Sequence, residues 1–147
     1  MAGSQANSCG VIGMDDKARY CQVGPGRALL MDDQDSIREI LREMLEELGW
    51  DVVCSCHGAE AVALYRKSID EGMPFSMIIL DLEVPNGIGG KEVMDELLPL
   101  DPDVRAVVSS GYYDEPVLAN YQNYGFHAVL AKPYRIEDLT KVLRELR

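Results

Sequence analysis

From residue 27 onward the chain alternates short apolar runs with longer stretches in which apolar residues recur every three or four positions. A short apolar run between polar or turn-forming residues is typical of a buried strand, and the longer spacing is typical of an amphipathic helix. Five strands and five helices are therefore predicted in strict alternation. The predicted strands are 28–31, 51–56, 75–80, 104–108 and 126–131, and the predicted helices begin near residues 36, 59, 91, 114 and 136.

The helix boundaries carry recognisable signals. Ser36 and Glu39 fit a capping box at the start of the first helix, and Gly49 fits its end. Pro99 is expected to end the third helix and Gly125 the fourth. Strands that alternate with helices form right-handed crossover units, which make the sheet parallel and put helices on both faces. The predicted class is therefore α/β, with one doubly wound parallel sheet of five strands.

Residues 1–26 differ from the rest of the chain. Met1–Asn7 is small and polar, and Gly24–Gly26 is a cluster of chain breakers. Asp15 and Asp16 follow a methionine as Asp32 and Asp33 do, but no strand precedes them, so they are expected to be solvated. We predict a linker or tail over 1–26 and one domain over 27–147.

Polar residues end four of the five predicted strands. In a parallel α/β sheet, ligands bind outside the carboxyl ends of the strands. The sequence therefore predicts that three carboxylates, a hydroxyl and an ammonium group meet at one edge. The strands end in Asp32-Asp33, Asp81, Ser109-Ser110 and Lys132, and Ser110 is the candidate for the hydroxyl.

This set of side chains suits a particular chemistry. Carboxylates packed together repel one another, and a divalent cation removes that cost. A site with few carboxylates and several waters suits Mg²⁺ better than Ca²⁺. A carboxylate can also serve as a nucleophile that forms an acyl phosphate. Asp81 beside a metal, with Ser110 to donate to a phosphoryl oxygen and Lys132 to pair with Asp81, predicts phosphoryl transfer.

Four motifs, in register, resemble the receiver domain of two-component response regulators over residues 27–147. The loop 84–92 and the stretch 109–112 are most similar to receivers at the C-terminus of hybrid sensor histidine kinases. The resemblance implies a flavodoxin-like (βα)5 fold with strand order 2-1-3-4-5. The motifs are Leu30-Met31-Asp32-Asp33, Ile79-Leu80-Asp81 followed by Pro85, Ser109-Ser110-Gly111-Tyr112 and Ala131-Lys132-Pro133.

The resemblance also implies a role for each acidic position. Asp81 is expected to be the phospho-acceptor and a metal ligand. Asp33 is expected to bind Mg²⁺ (or Mn²⁺) directly, and Asp32 directly or through water. The backbone carbonyl of Glu83 is the expected third protein ligand.

Other positions are expected to read the phosphorylation state. Ser110 stands at the position of the family's switch hydroxyl, and Lys132 at that of its phosphoryl-sensing lysine. The resemblance implies a cis peptide bond between Lys132 and Pro133. Where the family often has an aromatic residue, this chain has Val129, and Tyr112 and Tyr113 are candidates to replace it.

Glu83 puts a charged side chain two residues after the expected acceptor. We predict that it changes the rate of phosphorylation or dephosphorylation. Unchanged kinetics in Glu83→Ala would remove this idea.

The charge balance argues against a nucleic-acid partner. Asp and Glu number 25 and Lys and Arg 14, which gives a formal net charge of −11. A nucleic-acid module needs a basic face, so no nucleic-acid partner is expected.

No run reaches the roughly 18 apolar residues of a membrane helix, and the N-terminus lacks the pattern of a secretory signal. We expect a cytoplasmic location and no membrane contact by this domain.

The predicted function is acceptance of a phosphoryl group from the phosphohistidine of a histidine kinase or a histidine phosphotransfer protein. Phosphorylation is expected to alter the face made by helix four, strand five and helix five, through which a homodimer could form. Such a domain is no metabolic enzyme, although it could dephosphorylate itself. Two alternatives are an interaction domain that works without phosphorylation and an Mg²⁺-dependent phosphohydrolase with an aspartate nucleophile. The hydrolase class has a second Asp where Glu83 stands.

Overall fold

The computed structural model describes residues 26–85, 87–111 and 116–146. Over these residues five strands alternate with five helical segments, as predicted. The strands are β1 (Arg27–Met31), β2 (Asp51–Ser55), β3 (Met77–Asp81), β4 (Ala106–Ser110) and β5 (Ala128–Ala131). The helices are α1 (Asp35–Glu47), α2 (Gly58–Asp70), α3 (Gly90–Leu97), α4 (Pro116–Ala119, continued by a 3-10 helix at Tyr121–Tyr124) and α5 (Ile136–Glu145).

All five strands pair in parallel in one sheet of order β2-β1-β3-β4-β5. This confirms the predicted α/β class and the strand order. Along the chain, β2 is added on one side of β1, and β3, β4 and β5 are added on the other side. The strand order therefore reverses between β1 and β3. A crevice forms at such a point, outside the carboxyl ends of the strands.

The core lies in two layers, one on each face of the sheet. Side chains alternate between the faces along a strand, so Ala28 and Leu30 enter one layer and Leu29 and Met31 enter the other. One layer includes buried residues of α1 and α5, and the other includes those of α2 and α3. Because both faces are covered, the central strands are continuous apolar runs.

The fourth strand begins and ends two residues later than predicted. The sequence predicted a strand over 104–108, whereas β4 runs from Ala106 to Ser110. Ser109 pairs with Asp81, and Ser110 pairs with Ala131. Hydrogen bonding to both neighbours thus keeps the two serines in the strand, and both are buried.

The predicted capping box on α1 is wrong. The helix begins at Asp35 with Gln34 as its N-cap, so Ser36 lies inside the first turn. The Gln34 amide donates instead to Asp32 Oδ1 at 2.9 Å. The carboxylate of Asp32, just after β1, therefore provides a hydrogen-bond acceptor for the backbone amide that precedes the helix.

The fourth helix is shorter than the pattern indicated. Its α-helical part is Pro116–Ala119, and a 3-10 helix continues it at Tyr121–Tyr124. The predicted start at 114–115 lies outside the described residues. Gly125 ends the segment with a φ of 95°, a left-handed conformation that favours glycine.

Among the described residues, no helix combines the length and apolar character needed to cross a membrane.

Candidate functional site

Three carboxylates meet at the carboxyl edge of the sheet. Oxygens of Asp32, Asp33 and Asp81 lie within 4.8 Å of one another. Asp32 and Asp81 are each only 1% exposed, whereas Asp33 is exposed. Asp32 and Asp33 directly follow β1, and Asp81 ends β3, which is the neighbouring strand. The sheet thus brings together residues that are almost fifty positions apart in the chain, as the sequence predicted.

Lys132 is the cation of this cluster. Its Nζ lies 3.1 Å from Asp32 Oδ2 and 3.2 Å from Asp81 Oδ1. Burial lowers the pKa of Lys132, but the charges of Asp32 and Asp81 outweigh this effect and the pKa is raised above its usual value. The ammonium group therefore stays charged between the two buried carboxylates.

Asp81 is hard to ionise in this setting. Burial, and next the negative charge of Asp32, raise the pKa of Asp81 to about 7. Lys132 and a hydrogen bond from the backbone amide of Glu83, at 3.3 Å, act in the opposite direction. One lysine thus offsets only part of the cost of placing two carboxylates together in a buried position.

The buried oxygens fit a hard cation. Asp32 Oδ2 is buried, and the polar contact described for it is the ion pair with Lys132 Nζ at 3.1 Å, which leaves a lone pair of this oxygen unused. A buried oxygen in this state has unused capacity to bind an electron-pair acceptor. The donor set consists of oxygens alone, which suits Mg²⁺ or Mn²⁺. The cluster therefore has the composition of a divalent cation site.

The backbone around Asp32 is held by α1. Arg38 donates from Nη1 to the carbonyl oxygen of Asp32 at 2.7 Å, and its Nη2 bonds to Asp35 Oδ1 at 2.5 Å. Together with the hydrogen bond from the Gln34 amide, these contacts hold both ends of the loop 32–35, which joins β1 to α1. Arg38 was not singled out from the sequence, since an arginine on an amphipathic helix carries no distinctive signal.

Ser110 and Glu83 contact each other on the other side of Asp81. The Ser110 hydroxyl donates to Glu83 Oε2 at 2.5 Å. The sequence predicted that both residues belong to the site, but it did not predict this hydrogen bond. The two residues are 27 positions apart and lie on neighbouring strands or just beyond them.

Two glycines let α3 approach β3, the strand that carries Asp81. A Cβ at Gly90 would lie 3.1 Å from the carbonyl oxygen of Asp81, and a Cβ at Gly89 would clash with the carbonyl oxygen of Leu82. The loop from β3 to α3 thus packs against the backbone that carries Asp81. Glu92 caps the start of α3, because its Oε1 accepts a hydrogen bond from the Gly89 amide at 3.0 Å.

A second pair of hydroxyl groups lies on the opposite face of β4. Ser109 Oγ and the Tyr134 hydroxyl form a short hydrogen bond. Burial raises the pKa of Tyr134 well above its usual value. This contact ties the end of β4 to the segment that follows Pro133, and sequence analysis missed it. The position of Tyr134 directly after the Lys-Pro motif was the available signal.

The remaining predicted positions have different outcomes. Val129 lies on β5, half-buried, and packs against the layer that contains α2 and α3. The Lys132–Pro133 peptide bond is cis, as the resemblance implied. Tyr112 and Tyr113 lie outside the described residues.

Asp33, Asp81, Glu83 and Lys132 open onto a pocket of about 360 Å³. It offers carboxylates and an ammonium group side by side, so it can hold a hard cation and a small anion together. Its lining residues are Asp33, Gln34, Asp81, Glu83, Pro85, Gly111 and Lys132.

Residues 28–144 match the family described as the response regulator receiver domain. The match covers most of the chain, and the chain belongs to this family of two-component signalling domains. Receiver domains bind Mg²⁺ at an acidic pocket and interact with histidine kinases or phosphotransfer proteins. The carboxylate cluster lies where such a pocket is expected.

Two curated relatives differ in how much of their own length the match covers. The chain is 34% identical over 116 residues to response regulator receiver protein Anae109_2439 of Anaeromyxobacter, which covers 77% of this chain and 46% of that protein. It is 22% identical over 119 residues to sporulation initiation phosphotransferase F of Bacillus subtilis, which covers 81% of this chain and 91% of that one. The matched region thus spans under half of the first relative and nearly all of the second.

Solved structures confirm the fold. Chemotaxis protein CheY4 of Vibrio cholerae superposes with a TM-score of 0.74 at 23% identity and covers 84% of this chain and 100% of that chain. The CheX–CheY–BeF3–Mg complex of Borrelia burgdorferi gives a TM-score of 0.73 at 18% identity, over 80% of this chain and 86% of that chain.

Proposed function

We propose that this chain is a phospho-accepting signal receiver in which Asp81 takes a phosphoryl group from a phosphohistidine. The observation that carries the proposal is the contact of Lys132 Nζ with both Asp32 and Asp81 at the edge of the sheet. A lone buried aspartate would lack both a second carboxylate to bind a metal and a cation to pair with the phosphoryl group. An acceptor carboxylate, a second carboxylate and a shared ammonium group supply a nucleophile, a metal ligand and a charge that can follow the phosphoryl group.

Asp32, Asp33, Asp81 and the backbone carbonyl of Glu83 would hold Mg²⁺ or Mn²⁺. When bound, the metal neutralises negative charge on the phosphoryl group and on the carboxylates. The spread of the carboxylate oxygens over no more than 4.8 Å and the unused capacity of Asp32 Oδ2 support this assignment.

The transfer uses the second oxygen of Asp81. Lys132 and the Glu83 amide both donate to Oδ1, so we assign Oδ2 as the nucleophile. Its electron pair forms the new O–P bond while the P–N bond to the donor histidine breaks and its electrons return to the imidazole. The product is an acyl phosphate.

Lys132 and Ser110 are placed to respond to that product. Phosphorylation removes the carboxylate charge of Asp81 and adds phosphoryl oxygens, so Lys132 can exchange Asp81 Oδ1 for a phosphoryl oxygen. The Ser110 hydroxyl can donate to another. Both residues lie at the ends of β4 and β5, from which a shift reaches the face made by α4, β5 and α5.

We further propose that a histidine kinase or a histidine phosphotransfer protein in the cytoplasm is the donor, and that the α4–β5–α5 face receives a partner or a second copy. The chain is 24% identical over 123 residues to the sensor kinase CckA of Brucella abortus, which covers 84% of this chain and 13% of that protein. The relatives thus support both a kinase and a phosphotransfer context for this domain.

The decisive test is intact mass after incubation with acetyl phosphate and Mg²⁺. We expect one phosphoryl adduct that requires the metal and that decays when the donor is removed. Asp81→Asn should form none. Asp95→Asn, which changes an exposed carboxylate on α3, should be labelled like the wild type.

An unlabelled but folded wild-type protein would contradict the proposal. That result would favour the interaction domain that works without phosphorylation. Turnover of phosphate esters would instead support the phosphohydrolase alternative.

A further inference from the structure

Resting on the proposed function, we propose that the Glu83 side chain is a latch that holds the Ser110 hydroxyl until a phosphoryl group on Asp81 displaces it. The latch is the hydrogen bond from Ser110 Oγ to Glu83 Oε2, 2.5 Å long. It makes Glu83 a positioning residue that acts through Ser110.

The latch and a bond to the phosphoryl group exclude each other. A serine hydroxyl has one proton to donate. While that proton is shared with Glu83, Ser110 cannot donate it to a phosphoryl oxygen. Ser110 is only 1% exposed, so water has little access to the hydroxyl when it changes partner.

The latch joins the acceptor strand to the switch strand. The Glu83 amide donates to Asp81 Oδ1 at 3.3 Å, which anchors the backbone of Glu83 beside the acceptor. Asp81 is paired with Ser109 in the sheet, and Ser110 is the next residue along β4. From this anchor the half-buried Glu83 side chain crosses to β4.

Two effects of Glu83 oppose the phosphorylated state. One is the latch, a hydrogen bond with an acidic acceptor, which is stronger than a neutral one. The other is repulsion between the Glu83 carboxylate and the phosphoryl charge. Glutamine at this position would keep an oxygen that can accept from Ser110 but would remove the charge, whereas alanine would remove both.

Binding of beryllofluoride with Mg²⁺, measured by calorimetric titration, separates the two effects. We expect Glu83→Ala to bind the mimic about fivefold more tightly than Glu83→Gln does, which corresponds to one net hydrogen bond. When each change is combined with Ser110→Ala, the two should bind alike. Glu96→Ala, which removes an exposed carboxylate near the far end of α3, should match the wild type. Urea unfolding checks that every variant is folded.

If Glu83→Ala and Glu83→Gln gain equally while Ser110 is intact, the latch is overturned and only repulsion is left. No gain in either variant would overturn it as well. A folded wild-type protein that binds no beryllofluoride would instead refute the proposed function and the latch with it. Binding by the wild type but not by Asp81→Asn keeps the two failures apart.

Discussion

The buried carboxylate of Asp81 has a cost in stability. Burial and the charge of Asp32 raise its pKa in the folded protein to about 7, from an ordinary value of 3.8. Between these values the folded protein binds more protons than the unfolded chain. The free energy of unfolding therefore falls as the pH rises through this window and levels off above about pH 7. In the absence of metal, ionised Asp81 destabilises the fold.

Asp81→Asn should remove this cost. Without Mg²⁺ at pH 8, we expect the variant to be more stable than the wild type by on the order of 2 kcal/mol. The difference should shrink at pH 5 and vanish below about pH 3, where Asp81 is protonated in both states. Urea unfolding at the three pH values, in chelator, measures it. A difference that stays constant with pH would contradict the raised pKa.

The residues of the candidate site were predictable to different degrees. Asp32, Asp81 and Lys132 were predictable because each ends an apolar run, and parallel strands end at one edge. The bonds of Ser110 with Glu83 and of Ser109 with Tyr134 were not. They depend on which face of β4 each hydroxyl occupies and on the reach of a side chain from a loop, and neither is encoded in local spacing.

At the level of elements, the loop between β3 and α3 is shaped by backbone contact. Gly89 has a φ of −96°, which any residue adopts, so its requirement for glycine is steric and not conformational. A Cβ at Gly89 would meet the carbonyl oxygen of Leu82, whereas a Cβ at Gly87 would make ordinary contacts of 3.6 Å or more. The two positions form a matched pair in one loop.

Gly89→Ala should displace the start of α3 and destabilise the protein by about 1–3 kcal/mol. It should also slow labelling of Asp81, because the loop lies against β3, which ends at Asp81. Gly87→Ala should stay within about 0.5 kcal/mol of the wild type. Thermal unfolding and the rate of adduct formation provide the measurements. Equal effects of the two changes would show that steric contact at Gly89 does not position the loop.

Element types were easier to predict than their ends. The alternation of apolar runs and helical stripes predicted all five strands and the helical segments between them. The capping box at Ser36 failed because Asp32, outside the helix, satisfies the Gln34 amide. The fourth helix is short because its continuation, Tyr121–Tyr124, adopts a 3-10 conformation before Gly125.

On the scale of the whole molecule, the sheet and both core layers of the described residues are formed by the chain from Arg27 to Leu146. The family match begins at residue 28, and β1 begins at Arg27. The assignment of residues 1–26 to a linker or tail stays a prediction. If it is right, neither the core nor the pocket depends on the residues before Gly26.

A chain of residues 26–147 should therefore unfold within about 2 °C of the full chain, well below the shift of several degrees that a loss of 1 kcal/mol produces. It should also accept the phosphoryl group from acetyl phosphate at the same rate. Calorimetry and intact mass on the two proteins test this. A much lower melting temperature would place part of the first 25 residues in the folded domain.

The broken fourth helix has a consequence for motion. Over residues 116–124 only Val117 is buried, and the α-helical part has four residues. Leu118, Tyr121 and Tyr124 pack against the core but are only partly buried, so the amide hydrogens of this segment should exchange with solvent faster than those of β1 and β3, which are released only when the core opens. This side of the domain can therefore change shape while the sheet beneath the acidic pocket keeps its geometry.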